Sequence, residues 1–242
     1  MDVASAAVAP ADDIDGNVRP QGAGFDMGAY ENLPDEDGDG VPSGYEMGPE
    51  GDPGYDGNND NIPDWTQGNV SSFPTVDGAN YVTIECPDPS VFVNVAATPN
   101  PSPGNTPAGV TFPYGFFSFR INNLPTGGAT TVTIYLSGPA LDDYWKYGRT
   151  PDDPANHWYL FPKEEDAEGN VTGAENISDT VIVLNFVDGK RGDNDLTANG
   201  TVIDPGAPGV SGAEDVFNPE PGTEDKSDSV CFIGTAADSF GF

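Results

Sequence analysis

Short segments in which apolar and polar residues alternate recur between residues 73 and 188, and proline, glycine or asparagine separates them. Examples are Y-V-T-I-E-C at 81–86, V-F-V-N-V at 91–95 and V-I-V-L-N-F-V-D at 181–188. A period of two places successive side chains on opposite faces of a strand, and no amphipathic helix of useful length interrupts the series. The sequence therefore predicts an all-β fold, an antiparallel β-sandwich.

The chain is strongly acidic, and this charge limits its partners. Its 242 residues include 40 Asp and Glu against 8 Lys and Arg, which gives a formal net charge of −32. A surface of this sign repels nucleic acid and anionic membranes, so neither is expected as a partner. No run of 18 apolar residues is present, so no membrane span is expected. The 10% aromatic content can supply a core despite the many glycines and prolines.

The acidic stretch D-E-D-G-D-G-V-P-S-G-Y-E begins at Asp35. Counted from Asp35, side-chain oxygens fall at positions 1, 3 and 5, glycine at 6, a carbonyl at 7 and a carboxylate at 12. Calcium loops use this spacing because the ion takes six to eight oxygens, needs a sharp turn and is closed by a bidentate carboxylate. The alternative is a solvated acidic linker. The predicted calcium ligands are Asp35, Asp37, Asp39, the Val41 carbonyl and Glu46.

A second stretch, D-G-N-N-D-N-I-P-D-W, repeats the pattern from Asp56. Asn61 stands where glycine is usual, and asparagine tolerates a positive φ better than most residues. Together the two stretches resemble thrombospondin type 3 repeats, which wrap calcium with little apolar core. Since several carboxylates crowd together, the segment is expected to be disordered when empty and rigid when filled. The predicted ligands are Asp56, Asn58, Asp60, the Ile62 carbonyl and Asp64.

A third oxygen-rich segment, D-G-K-R-G-D-N-D-L-T-A-N-G, follows the last predicted strand. Oxygen ligands on a glycine-rich loop could hold another calcium ion. The alternative is a β-turn in which Asp and Asn side chains bind backbone amides. The candidate ligands are Asp188, Asp193, Asp195 and Asn199.

Several blocks between residues 73 and 209 occur in the order typical of one family. They are P-A-G-V-T-F-P-Y-G-F-F-S-F-R-I, V-T-I-Y-L, Y-W-K-Y-G, H-W-Y and L-N-F-V-D-G-K-R-G-D-N-D-L-T-A-N-G-T-V-I-D-P-G-A-P-G. This region resembles the bacterial choice-of-anchor U domain, a module found near the C-terminus of exported surface proteins. The resemblance implies a location at the cell surface or outside the cell rather than a particular activity.

Both ends of the chain carry further resemblances. The stretch D-M-G-A-Y-E at 26–31 resembles the last coil of right-handed parallel β-helix surface proteins, which often close with D-x-G-A-Y-E. The stretch C-F-I-G-T-A-A-D at 231–238 resembles the CFI-box sorting segment. It departs from the usual C-F-I-A-T-A-A-Y-G at Gly234 and Asp238, and the hydrophobic and basic tail of a sorting signal is missing. Processing, or a copy not used for anchoring, would explain these departures.

These observations divide the chain into four parts. Residues 1–31 form an N-terminal arm with the end-coil resemblance, 32–68 the calcium loops, 69–209 the sandwich, and 210–242 an acidic linker and C-terminal strand. The sandwich is thus preceded by a calcium-loop segment and flanked by extended arms. Cys86 and Cys231 either form a disulfide that ties the tail to an early strand or stay as two thiols.

The expected function is structural, and calcium is the expected cofactor. The chain would be a calcium-stabilised protein of the bacterial cell surface or extracellular matrix, able to form a homopolymer by strand exchange through its terminal arms. The alternative is an adhesin or carbohydrate-binding module that uses the aromatic residues around 145–161, with a glycan or surface ligand. An enzyme is not expected, because one histidine and no nucleophile motif make up no catalytic constellation.

Overall fold

The computed structural model describes residues 10–12, 19 and 33–211. Within 33–211 the chain forms strands joined by turns and two short 3-10 helices, at Asp64–Thr66 and Pro103–Asn105. In this part of the chain no helix is long and apolar enough to cross a membrane. The strands are β1 Val70–Pro74, β2 Tyr81–Glu85, β3 Val91–Thr98, β4 Val110–Thr111, β5 Phe116–Asn122, β6 Ala129–Leu136, β7 Asp143–Gly148, β8 His157–Leu160, β9 Glu164–Glu165, β10 Val171–Ser178, β11 Val181–Val187 and β12 Val202–Ser211.

These strands form two antiparallel sheets, so the predicted all-β sandwich is confirmed. The first sheet has the order β1-β2-β6-β11-β10-β9. The second has the order β3-β5-β12-β7-β8, and β4 pairs with the end of β12. Strand β1 is therefore at one edge of the first sheet, and β3 is at one edge of the second. The site described below lies between these two edges.

Alternate residues of both sheets face one shared core. Val132 and Ile134 of β6 and Leu184 and Phe186 of β11 are completely buried from the first sheet. Phe117, Phe119 and Ile121 of β5 point into the same core from the second sheet. Phe119 packs edge-on against Phe186, with ring centroids 6.2 Å apart, across the two layers. The period-two pattern in the sequence therefore arises because each strand buries one face.

The central strand β12 was not among the predicted strands, because V-I-D-P-G-A-P-G-V-S carries two prolines and two glycines. Proline lacks the backbone donor that a strand paired on both sides needs. The structure accommodates it because Val202–Gly206 pairs with β5 while Gly206–Gly209 pairs with β7. Pro205 lies where β12 pairs only with β5, and Pro208 lies where it pairs only with β7.

The acidic loops and the sandwich belong to one compact unit, and Val41 of the first loop is buried in the shared core. The end-coil resemblance at 26–31, the CFI-box resemblance at 231–238 and the predicted C-terminal strand lie outside the described residues. Most of the N-terminal arm does too. Cys86 is buried and has no disulfide partner among the described residues, and Cys231 lies outside them, so the disulfide stays a prediction.

Candidate metal centre

The first acidic loop closes the open side of the sandwich between the edge strands β1 and β3. The Val95 amide of β3 donates to the Asp39 carbonyl over 3.0 Å. The Ser72 amide of β1 donates to Glu46 Oε1 over 3.3 Å. Both amides would otherwise be unpaired at a sheet edge. The loop is therefore fastened to both sheets through two of its predicted ligand residues.

Backbone amides fold the first loop around its carboxylates. Asp35 accepts from the amides of Gly38 and Gly40 at 2.8 and 3.2 Å, and Asp39 Oδ1 accepts from the Val41 amide at 2.7 Å. Gly40, at loop position 6, has φ +104°, and a Cβ there would lie 2.8 Å from the Asn94 Cα. Glycine is therefore needed both for the turn and for the close approach to β3.

The arrangement leaves buried carboxylate oxygens without partners. One carboxylate oxygen from each of Asp35, Asp37 and Asp39 lies within 4.8 Å of the other two, and this is the one such acidic cluster among the described residues. Asp37 Oδ2, Asp39 Oδ2 and Glu46 Oε2 are buried and accept no hydrogen bond. A buried anionic oxygen without a partner is costly unless a cation neutralises it. These oxygens are therefore available as ligands.

Burial also changes the ionisation of these acids. Desolvation, followed by the charge of Asp39, raises the pKa of Asp37 to about 7. Desolvation raises the pKa of Asp39 to about 6, although the Ser71 hydroxyl lowers it in part. Desolvation, with the charges of Asp39 and Asp37, raises the pKa of Glu46 to about 10. The protein alone therefore disfavours several negative charges here, and a divalent cation would reverse that preference.

The second loop repeats the internal hydrogen bonds of the first. Asp56 Oδ2 accepts from the Asn61 amide at 2.8 Å, as Asp35 Oδ2 does from Gly40, and Asp60 Oδ1 accepts from the Ile62 amide at 2.7 Å. Asn61 has φ +71°, so the expectation that asparagine would replace the turn glycine is confirmed. The Ile62 carbonyl accepts from the Gln67 side chain at 3.3 Å. In this loop Asp60 and Ile62 are exposed, and Asp56 and Asn58 are half-buried.

Asp64, the last predicted ligand of the second loop, is completely buried against the sandwich. It accepts from the Gly57 amide and, at 2.5 Å, from the Ser72 hydroxyl. The Ser72 hydroxyl also lies 2.6 Å from Thr83 Oγ1 of β2. Ser72 therefore connects both loops, because its amide binds Glu46 and its hydroxyl binds Asp64. Desolvation raises the pKa of Asp64 to about 6.

The sequence interpretation did not include Ser71, Ser72 and Thr83. The available signal for Ser71 and Ser72 was a pair of hydroxyl side chains between apolar residues in V-S-S-F-P. Ser71 is completely buried on the core side near Asp39, and its hydroxyl has no hydrogen-bond partner. It is a further oxygen that faces the acidic cluster.

The candidate third site is organised by backbone amides rather than by a cluster of open oxygens. Asp188 accepts from the amides of Gly127, Asn199 and Gly200, at 2.7 to 3.1 Å. Asp193 accepts from the amides of Gly189 and Ile203 at 2.8 and 3.1 Å. Asp195 Oδ2 accepts from the Asn199 side chain. These contacts match the turn-capping alternative, since every oxygen of the two buried carboxylates has a protein donor.

The aromatic residues around 145–161 divide between the two faces of the second sheet. Phe161 is completely buried in the core. Trp158 is half-buried on the outer face, where its ring stacks on Phe112 at 5.7 Å and packs against Tyr147 at 5.2 Å. His157 Nδ1 lies 2.9 Å from the Ala155 carbonyl, which anchors its loop.

Comparisons with known proteins give no relative from which to transfer a function. No family model matches the sequence, and neither a curated protein nor a solved structure matches it. The residues of the site must therefore carry the functional argument.

Proposed function

We propose that this chain is a calcium-stabilised structural domain of the bacterial cell surface or extracellular matrix. The observation that carries the proposal is the cluster of Asp35, Asp37 and Asp39, together with the buried, unpartnered oxygens of Asp37, Asp39 and the neighbouring Glu46. A cation held there would join the edges of β1 and β3 through the first loop. The ion would then act as a clamp on the sandwich rather than as a reagent.

The donor chemistry favours calcium over other common metals. The available ligands are carboxylate, carbonyl and hydroxyl oxygens, which suit hard cations. Zinc sites draw on cysteine and histidine, and the chain has one histidine and two cysteines, of which Cys86 is remote from the acidic loops in sequence. Flexible carboxylate loops of this length suit calcium better than magnesium, because magnesium requires near-ideal octahedral geometry and keeps several waters.

Calcium titration of the chelator-treated chain, by calorimetry and by thermal melting, tests the proposal. A ligand at a hundred times its Kd stabilises the folded state by about 2.7 kcal/mol. For a domain of this size that corresponds to a rise in Tm of roughly 5–11 °C. Magnesium at the same concentration is expected to give a much smaller rise.

Two variants with the same change of charge make the titration specific. Asp39→Asn removes a buried acid of the first loop, whereas Asp166→Asn removes an acid in an exposed turn between β9 and β10. Only Asp39→Asn should lower the calcium affinity. Equal melting curves for the wild-type chain in calcium and in chelator would contradict the proposal.

Assembly through the terminal arms extends this proposal. A strand on a flexible tether can add to the edge of a neighbouring sheet, and head-to-tail exchange of this kind produces open filaments. Electron microscopy in calcium should show fibres of the full chain and none after residues 229–242 are deleted. Monodisperse particles under all conditions, or unaltered fibres of the shortened chain, would refute self-assembly.

A binding module is the second candidate, favoured by the half-buried aromatic rings on the outer face of the second sheet. Trp158, Tyr147 and Phe112 form a continuous aromatic surface there. Aromatic faces of this kind bind the apolar faces of sugars. Glycan-array binding that is lost in Trp158→Ala and kept in Tyr135→Phe would support this role. No binding by the wild-type chain would remove it.

A further inference from the structure

Lys146 of β7 and Asp204 of β12 form a charged pair inside the core. Both side chains are completely buried, and Lys146 Nζ contacts Asp204 Oδ1 directly. Lys146 pairs with Gly206 across the strands, so Asp204, two residues earlier, points to the same inner face of the sheet. The contact is therefore fixed by the strand register rather than by flexible side chains.

A buried ammonium ion at Lys146 has fewer hydrogen-bond acceptors than donors. The ring centroids of Phe161 and Phe186, each 4.8 Å from Lys146 Nζ, offer it cation–π contacts but no acceptor. An ammonium has three donors, but Lys146 has two acceptors, Asp204 and the Gly192 carbonyl at 2.5 Å. Burying two charges removes the hydration of both ions, and their mutual attraction does not reliably offset that loss. Desolvation lowers the pKa of the Lys146 ammonium, which favours the neutral amine.

We propose that Lys146 and Asp204 condense into an intramolecular amide that covalently joins β7 to β12. Lys146 Nζ bonds to Asp204 Cγ, and the bond from Cγ to Oδ1 breaks. Starting from ammonium and carboxylate, Oδ1 leaves as water with two of the three ammonium protons, and the third stays on the amide nitrogen. The reaction consumes no oxidant, reductant or other reactant, and the chain loses one water.

The remaining contacts of the pair fit the product. The amide N–H would donate to the Gly192 carbonyl, which already accepts from Nζ. The amide oxygen, the former Asp204 Oδ2, would accept from the Tyr144 hydroxyl, which lies 2.6 Å from it. An amide has one donor and one principal acceptor, so the site satisfies both. The pocket therefore matches a neutral amide better than it matches the charged pair.

Tyr144 and Gly206 act as positioning residues in this arrangement. The Tyr144 hydroxyl donates to the carboxyl group, which makes its carbon more electrophilic. A Cβ at residue 206 would lie 2.4 Å from that hydroxyl, so only glycine leaves room for it. A fixed contact between the reacting groups in a dry site replaces the encounter that a reaction in water would need.

The mass of the intact, reduced chain tests the proposal directly. The wild-type protein is expected to be 18 Da lighter than its sequence, because one water is lost. Lys146→Arg should have the full mass of its sequence. Asp204→Asn should lose 17 Da, because ammonia replaces water as the leaving group. A wild-type chain of full mass overturns the proposal and leaves the residues as a buried ion pair, whether or not the variants fold.

Tryptic mapping locates the link and separates it from an aspartimide at an Asp-Gly sequence, which also loses 18 Da. An amide at Lys146 blocks cleavage there, so residues 121–149 should be recovered joined to residues 192–226. Recovery of free peptides ending at Lys146 in the wild-type digest would refute the link. Tyr144→Phe should keep the fold and lower the joined fraction, whereas an unchanged fraction would remove Tyr144 from the positioning role.

Discussion

Replacing Asp37 with asparagine is expected to change stability in opposite directions with and without calcium. Asp37 Oδ2 is buried and unpartnered, and its neighbours Asp35 and Asp39 carry like charges. In chelator, the substitution removes repulsion and stabilises the fold. In calcium, it removes a charged ligand and destabilises the bound state. A residue that only packs against its neighbours would shift stability in one direction under both conditions.

The size of the effect follows from the spacing of the acids. One oxygen from each of the three carboxylates lies within 4.8 Å of the other two. Two unit charges 4.8 Å apart repel by about 3.5 kcal/mol at an effective dielectric constant of 20 and by about 0.9 kcal/mol in water. Since Asp35 is exposed and Asp37 half-buried, we expect a gain of about 1–2 kcal/mol in chelator, or roughly 2–8 °C in Tm. In saturating calcium, each tenfold loss of affinity lowers stability by about 1.4 kcal/mol.

Thermal and urea unfolding at pH 8.5, with calcium or with chelator, measures both effects. Desolvation raises the pKa of Asp37 to about 7, so the wild-type side chain is ionised at pH 8.5. At pH 5 it is protonated, and the gain in chelator should disappear. Glu165→Gln, in an exposed strand, makes the same change in net charge. It should neither stabilise the chain in chelator nor destabilise it in calcium. A shift of the same sign in calcium and chelator would refute the reasoning.

Three further predictions concern the packing of the site and core. Gly40→Ala should cost more than about 2 kcal/mol and abolish calcium binding, because the added Cβ would meet the Asn94 backbone. Gly38→Ala should cost only about 1 kcal/mol, because Gly38 has φ +83° but open space around it. Urea unfolding compares the two variants. Burial raises the pKa of the Cys86 thiol to about 12, so peptide mapping should find it alkylated between pH 7 and 9 only after unfolding. Ser72→Ala should cost about 1–3 kcal/mol in urea unfolding, since the buried Asp64 carboxylate loses a donor and the Thr83 hydroxyl loses its partner. Ser137→Ala, at a part-buried hydroxyl, should cost less.

The local features of the fold were readable from the sequence. Alternating segments gave the positions of β2, β3, β5, β6 and β11, because burying one face of a strand requires a period of two. The spacing of Asp35, Asp37 and Asp39 gave the acidic cluster, because ligands of one loop are close in the chain. Even the positive φ of Asn61 followed from its place in the loop.

Tertiary structure alone decided what each local feature touches. Ser72 lies in β1, and nothing in its neighbours along the chain indicates that its amide and hydroxyl would bind Glu46 and Asp64. Likewise, Asp188 has the spacing of a ligand, but the amides that fold around it come from residues up to 61 positions away. Only the folded chain determines whether a carboxylate meets donors or is left open.

The sequence by itself therefore determined the all-β class and the oxygen-rich loops, since both depend on residues that are neighbours in the chain. The fold decided that the first loop bridges two sheet edges and that Lys146 meets Asp204, 58 positions away. Strand order and register are properties of the whole packed core, because a strand such as β12 forms only when its partners on both sides are in place.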